Sequence, residues 1–292
     1  MPFTIMTDSA ANLNIQQLIA HKIVAIPMSY TANEAEFLCC PPDEFNDKAY
    51  YSDIKKGTTV STSQINPQRY MEYMKAALEN GQDILFVGIS SGISGSFASA
   101  GIARKELLEE YPERTIMLVD SLAASLGEGL LVLRAAQYRD EGWDIHEAAE
   151  KIVECRARIY QYFFVDDLMY LRRTGRLSGG LAVVGSVLGL KPLLKGDEDG
   201  KIVACGKVRG RKRAIQALAE QYSALVKNAE DQIIGISHAN CREDAESLAA
   251  LIRQTAPPKE IILQKHEPVT GSHLGPGALA LYFEGDSNVR FM

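Results

Sequence analysis

The sequence contains no uncharged apolar run near the ~18 residues that a membrane-spanning helix requires, so no transmembrane segment is expected. It opens MPFTIMTDSA, with neither a basic leader region nor a long apolar one, which argues against a secretory signal. Its five cysteines (Cys39, Cys40, Cys155, Cys205 and Cys241) show neither CxxC nor Cys/His zinc spacing. An odd, scattered set reads as reduced thiols serving as small apolar fillers, with no metal site. Surplus positive charge is also missing. A formal net charge of -6 argues against general nucleic-acid binding. These absences point to a cytoplasmic protein with at most transient contact with a membrane surface.

Three common site signatures are missing as well. In GISGS, Ser94 is followed at once by Gly95, so the GxSxG nucleophile turn is absent. GxxxxGK[ST] and GxGxxG do not occur, and nothing demands a nucleotide or another cofactor.

What is present is an ordinary globular composition, 46% hydrophobic and 23% charged, over 292 residues. That length suits two domains. In the first half, FTIMT, DILFVGI and TIMLVD read as strands, with a helix expected from Ser96 to Glu110 and others flanking Gly142. Continuous apolar strands spaced by helices predict a mainly parallel sheet covered on both faces. The second half reads similarly: strands at YFFV, KIVACGKV, QIIGIS and EIILQ, with helices at Arg211 to Lys227 and Glu243 to Gln254. The expected fold class is therefore α/β, with two α/β domains at 1–160 and 161–292.

Hydroxyl-rich turns cluster in the first half: TDSAANL, STSQIN, GISSGISGSFASAG and VDSLAASLGEG. Each sits at or near a probable strand end, where parallel α/β folds bind ligands and helix N-termini offer free N–H groups. Helix capping explains any single one. Four together favour a shared anion site. In the second half, TGSHLGPG places His273 among glycines and a proline, which predicts an irregular loop around one imidazole. The other histidines, including His266, carry no assigned role. Between Tyr170 and Arg213 stand eleven basic residues against three acidic ones, a local +8 in an otherwise acidic chain. Such a segment attracts an anionic ligand or an acidic partner. Arg176 suits bidentate recognition of a carboxylate or phosphate. KVRGRKRA sits at a helix start, where cations are disfavoured.

In order and spacing, TDSAANL, STSQ, ISSGISGSFASA, VDS with GEGLLV, DDLMYLRRTGRLSG, LGLKPLL, KVRGRKRAI and GSHLGPGALALYF resemble the DegV family of bacterial fatty-acid-binding proteins. The resemblance runs nearly end to end. It implies two α/β domains, a buried long-chain fatty acid as ligand, no catalytic residue of its own, and a separate fatty acid kinase as partner. Carried over residue by residue, it puts Thr62 and Ser94 on the ligand carboxylate, with Ser63, Gly95 and Ser96 beside them. Arg176 and His273 would line the carboxylate or acyl-phosphate end, and Arg209 would face the kinase. The chain departs from the family pattern at Val60-Ser61 before Thr62, and in EAEFLCCPPDEF, which lacks an Asp-Gly turn. Both bear on chain-length preference. The alternative from another class is a serine-dependent hydrolase or acyltransferase pairing Ser94 with His273, for which no orienting carboxylate is identifiable. A nucleotide-binding regulator is a third option.

Overall fold

Ile84 to Gly88 are all buried, so this segment needs apolar cover on both sides, and its alternating side chains find it. Ile84 and Phe86 pack into one core cluster; Leu85 and Val87 pack into another. The sheet around it is the centre of the first half. In chain order this half comprises β1 (Thr4–Asp8), α1 (Ile15–Ala20), β2 (Ile23–Ile26), β3 (Ser29–Ala32) and β4 (Ala35–Leu38). It continues through α2 (Asp47–Lys55), β5 (Val60–Ser63), α3 (Pro67–Glu79), β6 (Ile84–Gly88), α4 (Ser96–Glu110) and β7 (Ile116–Asp120). A helical pair, α5 (Leu126–Asp140) and α6 (Ile145–Arg156), closes it. The computed structural model describes residues 3–178, 189–286 and 290.

The main sheet has the order β2-β1-β6-β7 and is parallel throughout, as the sequence predicts. One face carries α3 and α4, through Tyr70, Met74, Ala100 and Ala103; the other carries α5 and α6. A separate antiparallel sheet, β4-β3-β5, is absent from the sequence reading. Its three strands are four residues each and mostly polar or exposed, so no hydrophobic period marks them.

The second half holds β8 (Ile159–Phe164), α7 (Met169–Arg173), β9 (Leu190–Gly196), β10 (Ile202–Arg209), α8 (Arg211–Leu225) and β11 (Ile233–His238). It ends with α9 (Arg242–Thr255), β12 (Glu260–Lys265), α10 (Pro268–Leu274) and β13 (Leu279–Glu284). These strands form one sheet, β10-β9-β8-β13-β11-β12. Only β11 and β12 pair in parallel within it; the remaining pairs are antiparallel. Gly179 of TGRLSG and Leu188 of LGLKPLL lie outside the described residues.

The layers join through α5, which packs on β1 and β6 on one side and on β8, β11 and β13 on the other. Close approach requires small residues. A Cβ at Gly129 would lie 2.5 Å from the Ala11 carbonyl oxygen, and one at Gly235 would lie 2.7 Å from Leu126 Cβ. No described helix is long and apolar enough to cross a membrane. Among the described cysteines none is disulfide-bonded. Cys39 and Cys155 are buried as expected of fillers, whereas Cys205 is exposed at the bulge in β10.

Because the obstacle at Gly129 is backbone, Gly129→Ala must shift α5 and should cost about 1–3 kcal/mol, as overpacked cores do. Urea denaturation measures this; an unchanged midpoint would refute the close packing.

Candidate functional site

Where the parallel strands end, their turns meet β5 and α10 around a cavity of about 310 Å³. That volume lies at the small end of the range for small-molecule sites. Most of the lining is apolar: Met28, Ile89, Ile93, Phe163, Ile202, Val269 and Leu274 among others. Among the described residues Arg176 is the only charged side chain that lines it, and no carboxylate does so.

Six of the seven residues expected at the ligand line this cavity: Thr62, Ser63, Ser94, Gly95, Arg176 and His273. Ser96, the seventh, is fully buried behind the wall. There its hydroxyl bonds Ser94 Oγ at 3.0 Å and accepts the Ile65 N–H at 3.1 Å, which fixes the turn against β5. Ser94 Oγ also accepts the Ser96 N–H at 3.2 Å, which closes the turn leading into α4. A Cβ at Gly95 would stand 2.0 Å from Gln64 Oε1, so a side chain there would displace the end of Gln64.

His273 does not sit in a loop. GSHLGPG begins inside α10, because Glu267 accepts the Thr270 N–H and Pro268 occupies the first helical turn, a strong start signal that overrides the glycines. The irregular backbone begins only at Gly275 (φ +78), where Tyr170 approaches too closely for a side chain. From the last turn of α10, His273 Nε2 reaches Thr62 Oγ1 at 3.0 Å. Burial, assisted by the Arg176 guanidinium, lowers its pKa to about 4, so the ring is neutral near pH 7. Its Nδ1 is buried with no partner among the described residues. Arg176 is held by hydrogen bonds to the carbonyls of Thr174 and Ile93.

This geometry disfavours the hydrolase alternative. His273 bonds Thr62 while Ser94 bonds Ser96, and no carboxylate orients the imidazole. Among the described residues no group of three His, Cys, Asp or Glu side chains is placed to hold a metal.

Of the four hydroxyl-rich turns, three line the cavity: STSQ, GISSGISG and the stretch containing Ser125. TDSAANL does not. Asp8 instead accepts the N–H groups of Ala10 and Ile89 at 2.9 Å, bracing the end of β6 from behind. Burial raises its pKa to about 7 against those two donors.

Sequence reasoning missed the inner wall. Ser125, His266, Thr270 and Tyr282 line the cavity, and His266 is completely buried. Among its partners, Ser125 and Ser237 lie 141 and 29 residues away, so although Ser125 falls in the hydroxyl-rich VDSLAASLGEG, no local motif links it to His266. The positive φ of Ser125 (53°), where the chain turns into α5, is likewise invisible in the sequence.

Arg209 lies elsewhere. It is exposed at the far end of β10 from cavity-lining Ile202, about 20 Å along the strand at ~3.3 Å per residue. Part of the basic segment is neutralised, since Arg211 pairs with Asp166 and Asp244, and Arg213 with Glu220. Among the described residues Lys207, Arg209 and Lys212 make no ion pair.

The layers of this α/β chain enclose an apolar cavity with one basic, hydroxyl-lined end, a lining chemically suited to an amphipathic anion. The chain belongs to the DegV family, whose model, described as an uncharacterised protein family, matches residues 2–286. A DegV domain-containing protein of Clostridium perfringens is 38% identical over 285 residues, covering 98% of each chain. Among solved structures, a Thermus thermophilus DegV family protein described for fatty acid binding superposes with a TM-score of 0.89 at 26% identity, over 98% of this chain and all of that one. Bacillus subtilis DegV, described as a fatty acid binding protein, gives a TM-score of 0.83 at 28% identity, also over 98% of this chain and all of that one.

Burial lowers the pKa of His266 to about 3, against 6.5 for the free side chain. A base held neutral contributes stability that is complete above pH 6.5 and is lost as the pH falls toward 3, by up to about 1.4 kcal/mol per pH unit. Buried Asp8, raised instead, acts in the opposite sense. His266→Asn should therefore flatten the loss between pH 6.5 and 4.5 in denaturant titrations. Parallel profiles for the two proteins would refute a buried neutral imidazole.

Proposed function

We propose that this chain binds a long-chain fatty acid in the cavity and presents its carboxylate to a separate kinase for acyl-phosphate formation. The observation that carries the reading is the lining: among the described residues, apolar walls, one cation and no carboxylate. Burying about 15 methylenes favours binding by roughly 0.8 kcal/mol each, or about 12 kcal/mol before association costs. The carboxylate needs donors wherever it leaves water. Thr62 and Ser94 supply them, with Arg176 as counter-charge. Fatty acid binding by DegV relatives from Thermus thermophilus and Bacillus subtilis supports the ligand class.

The second step rests on the separation of Arg209 from the cavity. Lys207, Arg209 and Lys212 form an unneutralised basic surface fit for an acidic partner. In this reading the protein has no catalytic residues and no cofactor, and it works in the cytoplasm. It divides near residue 160, just after the start of β8, into a carboxylate-holding part and a partner-facing part.

Native mass spectrometry of the purified protein should show a co-purified fatty acid. Thr62→Ala combined with Ser94→Ala should lower its occupancy about tenfold or more, the effect of removing hydrogen bonds to a charged group. Arg209→Ala should keep occupancy unchanged and weaken only acyl phosphorylation with a kinase. A protein that carries no fatty acid and takes up no added hexadecanoate would sink the reading, and emptying by Arg209→Ala would overturn the division of roles.

A further inference from the structure

One polar side chain interrupts an apolar face at the deep end of the cavity. Along β8 the side chains alternate. Tyr160, Tyr162 and Phe164 join the core between the second sheet and its helices, while Ile159, Phe163 and Val165 join the core between the layers. Gln161 occupies the middle place in that second row and lines the cavity with Phe163. A polar residue at an apolar position calls for a cause. Its amide spans the layers: Oε1 accepts the Ala124 N–H at 3.0 Å, and Nε2 donates to the Leu122 carbonyl at 3.1 Å. Both bonds hold the turn that leads into α5.

The amide is also walled in. A Cβ at Gly127 would lie 3.0 Å from Gln161 Cγ, and one at Gly196 would lie 2.8 Å from Nε2, so glycines flank it on two sides. Arg290 is buried and does not line the cavity. It donates from Nη1 to the same Leu122 carbonyl at 2.6 Å, and its Nη2 has no partner among the described residues. A methyl group driven past Gln161 would meet a desolvated cation instead of an apolar core.

The strands fix which end this is. β8 runs from Gln161 through Phe163 toward α7 and Arg176, and β13 follows α10 and His273 and runs through Ala280 to Tyr282, which pairs with Gln161. The Gln161–Tyr282 rung thus lies about 7 Å beyond the Phe163–Ala280 rung, away from the head-group residues.

We infer that Gln161 sets the length of acyl chain that the cavity accepts: its amide, pinned across the two layers, is the stop against which the methyl end rests. The inference rests on the fatty-acid reading and adds a specificity-determining residue to it. A pinned amide cannot swing aside for one more methylene, so excess length is met by strain.

The test is competitive native mass spectrometry of the full chain, offered tetradecanoate, hexadecanoate, octadecanoate, eicosanoate and docosanoate at equal concentration. Each methylene that fits should raise relative occupancy about fourfold, and the gain should cease at the stop. Gln161→Ala should move the most occupied acid up the series by one step. Gln161→Val, which suits a strand, gives the same test should the alanine variant not fold. Gln161→Met keeps the volume and gives up both hydrogen bonds, so it should keep the wild-type ranking. An unchanged ranking in the smaller variants, or an equal shift in Gln161→Met, overturns the stop and leaves Gln161 a tether between the layers, with the fatty-acid reading intact. A wild-type protein that retains none of these acids overturns both.

Discussion

The structure depends on how closely α5 approaches the two sheets it separates. Gly129 brings it against the turn after β1, and Gly235 lets its first residue, Leu126, seat on the second sheet. This is close packing in which volume cannot be added without moving backbone. The cavity opens at the N-terminus of the same helix, where Ala123, Ala124 and Ser125 form its floor. The ligand site is thus set by the interlayer spacing, and its position follows from the rule that parallel strands place ligands beyond their carboxyl ends.

Around that opening, charge is kept apart. Asp8, Glu128 and Glu267 are all completely buried, yet none lines the cavity. Burial raises the pKa of each, which favours the neutral acid. They act as structural braces: Asp8 on the end of β6, Glu128 on Thr7, Glu267 on α10. The cavity itself keeps neutral hydroxyls, two imidazoles with lowered pKa values and one guanidinium. Such a surface accepts an anion and repels none.

How much of this was legible in the sequence varied with the physics of each segment. Strands β1, β6 and β7 of the parallel sheet were readable because burial writes continuous apolar runs, as in ILFVG, whereas the four-residue β2 was not. Helix α4 was readable, since a glycine-rich turn precedes an uninterrupted helical stretch. The β3–β5 sheet was not, although it carries Thr62, because its short polar strands have no period. Pairing direction in the second sheet was also hidden. Strand runs separated by α8 and α9 look alike whether they pair parallel or antiparallel, and β9 and β13 escaped as strands. At the site, the DegV-like motifs gave the outer end of the cavity, while His266 gained its meaning only from distant residues that the fold brings beside it.

The small sheet has one more consequence. It supplies Thr62 and Ser63 to the cavity, yet its outer strand, β4, is exposed along its whole length, Phe37 and Leu38 included. Two of the residues that line the cavity therefore belong to a layer whose outer strand faces solvent, while Ala123, Ala124 and Ser125 line it from the closely packed start of α5. The wall that carries Thr62 and Ser63 is thus the one with the least packing behind it, and local opening is least costly where few buried contacts hold a segment.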